Sequence, residues 1–330
     1  MPPATETRTV ARSALITGVT GQDGWYLSEL LIAAGQRVHG LVAPEDTNPT
    51  PPGVTPIEGD VRSSASIASA LERADPDVVY NLAAVSSVAA SWADPAPVAE
   101  VTGLGAVRLL AAVRDRDAGR GGATRVVQAS SAEIYGDAPA PQDESTPIAP
   151  TNPYGAAKAF AHHTVQVFRS QGVWAANAVL FPHESPRRPA GFVSRKITSA
   201  AAAIAAGSTE PLVLGNLDAR RDWGFAGDYA RGLQLIASQD EPVDVVLATG
   251  ESHSIREFVR AAFTYAGVTD WQARVEQSAE FTRPTDSGEL RGDAGRARHL
   301  LGWRPNVGFD ELVAMMVDAD RALLGHVGRG

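Results

Sequence analysis

An α/β fold, built on a doubly wound parallel sheet with a smaller second lobe toward the C-terminus, is what this sequence predicts. Three observations predict it. Apolar, strand-like runs alternate with helix-spaced segments through the first half of the chain. A glycine-rich turn joins the first strand to the first helix. Beyond Phe181 the pattern loosens into loops with several Arg and Pro residues. Such alternation implies a parallel sheet with helices on both faces, and sheets of this kind bind ligands at the carboxyl ends of their strands.

Ser13–Thr17 is a short apolar run and the first expected strand, and residues 18–24 form the glycine-rich turn. Residues 25–34 have helical spacing, with Leu27, Leu30, Leu31 and Ala34 on one face. Arg37–Val42 reads as a second strand, and the Pro- and Thr-rich residues 44–53 as a loop. Two more strands are expected at 77–82 and 125–129, with a long Ala/Val/Leu helix from about 97 to 114 between them. Residues 243–249 read as a strand returning to the sheet, and 309–324 as an amphipathic helix. The expected division is 1–181 plus about 226–250 for the sheet domain. About 182–225 plus 251–330 would then form a smaller α/β lobe that binds substrate.

The 330 residues suffice for a large core and two lobes. At 44% hydrophobic and 20% charged, the composition is that of an ordinary globular enzyme. No run of about 18 apolar residues stands out, so no membrane span is expected. The first dozen residues lack the apolar stretch of a secretory signal and read as a frayed leader. The absence of cysteine excludes disulfides and thiolate chemistry and fits a cytoplasmic protein. A net charge of −9 argues against nucleic-acid binding. It leaves room for an anionic small substrate where arginines cluster in a cleft. Only Lys158 and Lys196 among the 29 basic residues are lysine. A lysine that survives drift toward arginine marks a place that needs a compact, titratable ammonium.

Gly18-x-x-Gly21-x-x-Gly24 follows the first strand and opens the first helix. Glycines let the backbone turn tightly and approach a pyrophosphate, and the helix N-terminus offers N–H groups and a positive dipole end. In this setting the turn reads as the dinucleotide site of a Rossmann-type sheet. Asp60-Val61, after the third strand, is either an adenine contact or the N-cap region of a helix. Leu82, Ala83 and Ala84 end the fourth strand, where small side chains permit close approach to the ribose and nicotinamide. No metal site is expected.

Tyr154-x-x-x-Lys158 opens a predicted helix after Asn152-Pro153. That spacing puts both side chains on one face, about 6 Å apart along the axis. An ammonium beside a phenol favours the phenolate, which would make Tyr154 a base for a sugar hydroxyl. Ser130-Ser131-Ala132-Glu133 follows the fifth strand. Its hydroxyl can hold the oxygen that Tyr154 deprotonates. Glu133 is either the acid/base of a dehydration or a cap or loop acid.

Together these residues resemble the GDP-mannose 4,6-dehydratase family of the extended short-chain dehydrogenases. The stretches that carry the likeness are ITGVTGQDG (16–24), SSAEIYG (130–136) and NPYGAAK (152–158), with HESPRR (183–188), FVSRKI (192–197) and LGNLDARRDWG (214–224). ATGESHSIREF (248–258), RPT (283–285) and GWRP (302–305) complete it. The likeness spans nearly the whole chain. It implies that Ser131 stands at the catalytic threonine position, with Glu133 as acid/base, Tyr154 as base and Lys158 as its partner. It implies cofactor contacts at Gly18, Gly21, Gln22, Asp23, Gly24, Asp60, Val61, Leu82, Ala83, Ala84, Tyr154, Lys158, His183 and Arg188. It implies substrate contacts at Ser86, Glu133, Val193, Lys196, Leu214, Gly215, Arg221, Arg283 and Asp286. Arg221 and Arg283 suit diphosphate oxygens on their own chemistry, or are solvated surface arginines. Arg187-Arg188 is a cofactor or substrate contact, or simply exposed.

The implied activity is dehydration of GDP-mannose to the 4-keto-6-deoxy sugar nucleotide, by internal transfer of hydride from C4 to C6. The implied cofactor is NADP. The family's Arg pair for the 2′-phosphate is replaced, however, by Ala43-Pro44, followed by Glu45 and Asp46. No acid closes the second strand at Val42, so the usual 2′-hydroxyl signature of NAD is missing too. The same loop helps the family form tetramers, so a homodimer is expected. Pro182, Val85 and Ser87 also depart from the family. A sugar-nucleotide epimerase, a 4-keto reductase and a non-catalytic cofactor sensor are the rival readings.

Overall fold

The computed structural model describes residues 12–119, 123–278, 281 and 288–327. Seven parallel strands form the central sheet: β1 Ser13–Thr17, β2 Arg37–Val42, β3 Thr55–Glu58, β4 Val78–Asn81, β5 Arg125–Ser131, β6 Ala175–Leu180 and β7 Val245–Leu247. Their order in space is β3-β2-β1-β4-β5-β6-β7. Growth of the sheet reverses between β1 and β4, and connections leaving these strands on opposite faces open a crevice at their carboxyl ends.

The two-residue period of a strand sorts side chains between the faces. Ala14 and Ile16 pack with Leu27 and Leu31 of the Gln22–Ala33 helix and with Leu233 and Ile236 of the Ala226–Ala237 helix. Leu15 faces the other way, toward Ile67 and Leu71 of the Ser64–Ala74 helix and Leu109, Leu110 and Val113 of the Gly105–Ala118 helix. A second core gathers Ile197, Leu214, Trp223, Phe258, Phe263, Leu312 and Met316. Residues 290–303 return to the first core instead, through Leu290, Ala294, Ala297 and Trp303. The carboxylate of Asp222, fully buried, ties the segments together. It accepts from the Thr249 N–H and hydroxyl and from the N–H groups of Gly250 and Gly292.

Several sequence expectations shift. β5 runs on to Ser131, so Ser130 and Ser131 end the strand rather than follow it. Ala34 caps the first helix and is exposed, outside its buried face. β6 has no bounds in the sequence reading. Its sequence, AANAVL, is poor in strand formers, and burial of every residue decides its state. The helical stretch Pro95–Ala118 is long and apolar enough for a membrane span by length and composition alone. Its Leu109, Leu110 and Val113 are nonetheless core residues of this fold. Within it, Ala99–Leu104 is π-helical, and Thr102 there accepts from the Val85 N–H at 3.2 Å.

Thr17, Asn81 and Gln128 are register partners on β1, β4 and β5. Thr17 Oγ1 donates to Asn81 Oδ1 at 2.6 Å, and Asn81 Nδ2 donates to Gln128 Oε1 at 2.6 Å. All three are buried. Replacing Asn81 by Leu breaks both bonds and strands a buried hydroxyl and carboxamide. A loss of roughly 2–4 kcal/mol is expected by denaturant unfolding, since each orphaned group costs about 1–3 kcal/mol.

Candidate active site

The site is a cavity of about 970 Å³ at the carboxyl ends of the strands, large enough for a cofactor and a small ligand together. At its centre the chain leaving β1 crosses the chain leaving β4. Gly18 has φ +68°, and a Cβ on it would lie 2.9 Å from the Ala83 N. Only glycine permits that crossing. Gly21 then caps the Gln22–Ala33 helix without a side chain, and the first turn borders the cavity. Its N–H groups and positive dipole end suit a pyrophosphate.

Two side chains clamp this turn to the segment after β6. His183 Nε2 lies 2.9 Å from Asp23 Oδ2, and its Nδ1 lies 2.7 Å from the Phe181 carbonyl. Gln22 Nε2 donates to the His183 carbonyl at 3.0 Å, and Ser185 donates to Gln22 Oε1 at 2.7 Å. Burial works to lower the His183 pKa, but the Asp23 charge and the hydrogen bonds outweigh it and hold the imidazolium above its ordinary value. Burial works to raise Asp23, and the His183 charge and hydrogen bond bring it below the usual carboxylate value.

The expected catalytic residues sit on the far side of β4. Tyr154 and Lys158 share the buried face of the Pro153–Ser170 helix. Lys158 Nζ donates to the Ala129 carbonyl at 2.7 Å and lies 5.8 Å from the centre of the Tyr154 ring. Burial pushes Tyr154 up to about 12, partly offset by its hydrogen bond to Ser131. Burial brings Lys158 down to about 8. Burial penalises both charged forms, and so works against the phenolate that the Lys158 ammonium is expected to favour.

Ser131 caps the short turn Ala132–Tyr135, accepting from the Glu133 N–H at 3.2 Å. Glu133 is half-buried, and its Oε2 accepts from Asn152 Nδ2 at 2.7 Å. The other end of Asn152 accepts from the Gly155 N–H at 2.8 Å and caps the tyrosine helix. A Cβ on Gly155 would lie 2.5 Å from the Glu133 carbonyl oxygen, so glycine after Tyr154 lets the two segments meet.

Every described residue expected at the site lines this one cavity: Gly18, Gly21, Gln22, Asp23, Gly24, Asp60, Val61, Leu82, Ala83, Ala84, Ser86, Ser131, Glu133, Tyr154, Lys158, His183, Arg188, Val193, Lys196, Leu214, Gly215 and Arg221. Arg283 and Asp286 lie outside the described residues. Arg187 stacks 3.7 Å over the Trp25 ring, away from the cavity lining, while Arg188 pairs with Glu184 at 3.0 Å. Lys196 Nζ sits 3.9 Å from the centre of the Phe281 ring, and Arg221 NH1 donates to the carbonyls of Arg220 and Gly288. Both oxygens of Asp60 are engaged by Arg62, one by its N–H and one by its Nε. Val85, Ser87 and Pro182 line the cavity as well. Sequence reasoning missed Asn152 as a partner of Glu133. Its place just before a helix-opening proline was the available signal. Among the described residues no group of three or more His, Cys, Asp or Glu is placed to hold a metal ion.

The profile of the family described as GDP-mannose 4,6 dehydratase matches residues 15–316. The chain is 45% identical to GDP-mannose 4,6 dehydratase 1 of Arabidopsis thaliana, covering 94% of this chain and 90% of that protein. It is 41% identical to GDP-mannose 4,6 dehydratase of Homo sapiens, covering 94% and 92%. Among solved structures, UDP-glucose 4-epimerase of Thermus thermophilus, in complex with NAD, superposes with a TM-score of 0.82 at 29% identity, covering 93% and 98%.

The clamp makes a pH-dependent prediction. With its folded pKa raised, His183 contributes stability fully below the unfolded histidine value, and loses it as pH rises through the folded one. With its folded pKa lowered, Asp23 contributes above the unfolded aspartate value, and loses it as pH falls through the folded one. The pair therefore stabilises most between about pH 4 and 6.5. Thermal melts of His183→Gln should fall furthest below the parent protein near about pH 6, with the gap narrowing as pH rises through the raised His183 value. A gap that widens with rising pH would refute the assignment.

Proposed function

The chain belongs to the GDP-mannose 4,6-dehydratase family, and on that premise we propose that it converts GDP-mannose to GDP-4-keto-6-deoxymannose with loss of one water. The observation that carries the reading is Glu133, a carboxylate held by Asn152 beside Ser131 and Tyr154. Reducing or epimerising a sugar at C4 needs the hydroxyl, phenol and ammonium but no such acid. Dehydration needs a group that takes a proton from C5 and gives one to the departing C6 hydroxyl.

The glycine turn, Leu82 to Ala84 and Lys158 would hold a nicotinamide dinucleotide, NADP as the family implies or NAD. The fit rests on the Gly18 crossing and the uncapped first turn of the helix. Bound there, the dinucleotide would take hydride from C4, return it to C6, and in its oxidised form bring positive charge close to Tyr154. Tyr154 receives the C4 hydroxyl proton while Ser131 holds that oxygen. The resulting 4-keto group acidifies C5–H. Glu133 removes that proton and delivers one to the C6 oxygen as it leaves as water, and as C6 is reduced C5 takes a proton back, which the one held on Tyr154 supplies, so that the base is restored. Lys196 and Arg221, with Arg283, take the nucleotide part. The second core, with Val193 and Leu214, serves as the substrate lobe. The net change is one water lost, with no net oxidation.

We also propose a cytoplasmic homodimer. Leu104, Phe160 and Val167 are large apolar side chains exposed on two packed helices, a surface suited to a second copy.

The test is incubation with GDP-mannose and either dinucleotide, read by mass spectrometry. A product lighter by one water, without net reduction of the cofactor, is expected. Glu133→Gln should lower the rate roughly 10²–10⁴-fold and abolish solvent deuterium uptake at C5. Normal dehydration by that variant would show that Glu133 is not the acid/base.

Asn152 offers a finer test. Asn152→Ala should cost about 1 kcal/mol of stability through the lost cap and slow dehydration as Glu133 loses its partner. Asn152→Ser should restore the cap and the melt but not the rate. Recovery of both would show that Asn152 acts only as a cap.

A further inference from the structure

The cavity continues past the glycine turn to the carboxyl ends of β2 and β3, where it is lined by Ala43, Glu45, Asp46, Asp60 and Arg62. In this fold that end receives the adenosine ribose of a dinucleotide. An acid there binds a free 2′-hydroxyl, whereas an unengaged arginine binds a 2′-phosphate. No acid closes β2 itself. The tertiary structure supplies one from the following loop.

A turn with the Asp46 N–H on the Ala43 carbonyl, at 2.9 Å, brings Asp46 back over the strand end. Thr20, inside the glycine turn, donates its hydroxyl to Asp46 Oδ2, and Asn48 donates its N–H and its Nδ2 to Oδ1. Oδ1 is filled by these two bonds, and Oδ2 keeps one lone pair for a further donor. Burial works to raise the Asp46 pKa, and these hydrogen bonds bring it below the ordinary value, so the group is ionised. The one guanidinium among these five residues, on Arg62, is held by Asp60 and Glu45 together. Three carboxylates against one guanidinium leave this end with a net charge of −2. A 2′-phosphate would bring nearly two more negative charges to it.

We infer that this chain selects NAD over NADP, with Asp46 accepting from the adenosine ribose diol and Glu45 withholding Arg62 from a 2′-phosphate. The inference rests on the reading of the cleft as a dinucleotide site.

Calorimetric titration tests it without turnover, using NAD, NADP, ADP-ribose and 2′-phospho-ADP-ribose on the full chain. The expected result is at least roughly 10-fold tighter binding of NAD than NADP, repeated in the two fragments that lack nicotinamide. The double variant Glu45→Gln with Asp46→Asn should lose most of that preference, by weakening NAD and by freeing Arg62 for the phosphate. Its melting curve checks that it folds. In the parent protein, Arg62→Ala should leave NADP binding weak. Equal or tighter binding of NADP, or its collapse in Arg62→Ala, overturns the inference while leaving the proposed dehydration intact. Failure of every dinucleotide to bind overturns both.

Discussion

Thr17, Asn81 and Gln128 sit side by side near the carboxyl ends of β1, β4 and β5, joined side chain to side chain. Thr17 also accepts from the N–H groups of Leu82 and Ala83, at 3.1 Å each, which folds the chain leaving β4 back over the Gly18 turn. At the other end, Gln128 Nε2 donates to the Ala129 carbonyl, the same oxygen that takes the Lys158 ammonium. A single buried hydrogen-bond chain thus runs from the glycine turn to the Lys158 ammonium. In a low-dielectric interior such a chain is stable only when every member is satisfied. Register, turn and ammonium are thereby positioned by one requirement.

The same dryness governs the chemistry. Burial raises Tyr154 and lowers Lys158, so each is biased toward its neutral form. Positive charge brought close to Tyr154 would work against that bias. Glu133 is less enclosed: it is half-buried on a short turn, with its carboxylate oriented by Asn152.

Two carboxylates, the part-buried Asp23 and the fully buried Asp222, fasten distant segments together around the site. Asp23 with His183 fastens the glycine turn to the segment after β6, and Asp222 collects donors from three segments. A buried carboxylate is costly unless its lone pairs are filled, so these contacts resist partial opening. Likeness to the dehydratase family extends across this scaffold. The loop after β2 departs from it, and there the lining is acidic where the family has an arginine pair.

The sequence by itself determined the layered α/β architecture, because strand and helix periods alternate and buried parallel strands read as apolar runs. It also located the glycine turn and the Tyr154/Lys158 pair, because those functions need particular residues at fixed local spacing. Most of the described residues singled out for the site line one cavity, Arg187 being an exception. What only the tertiary structure decided depends on groups far apart in the chain. β6 is a strand because its alanines are buried on both faces. The Pro95–Ala118 stretch is a core helix because its apolar side chains meet the sheet and its neighbours. Asn152 reaches Glu133 because a glycine lets two backbones touch, and Asp46 returns to the cofactor end because Thr20 offers it a hydroxyl. Local pattern records what a residue's neighbours in sequence require. Contacts such as these are set by packing across the fold, to which no local spacing is tied.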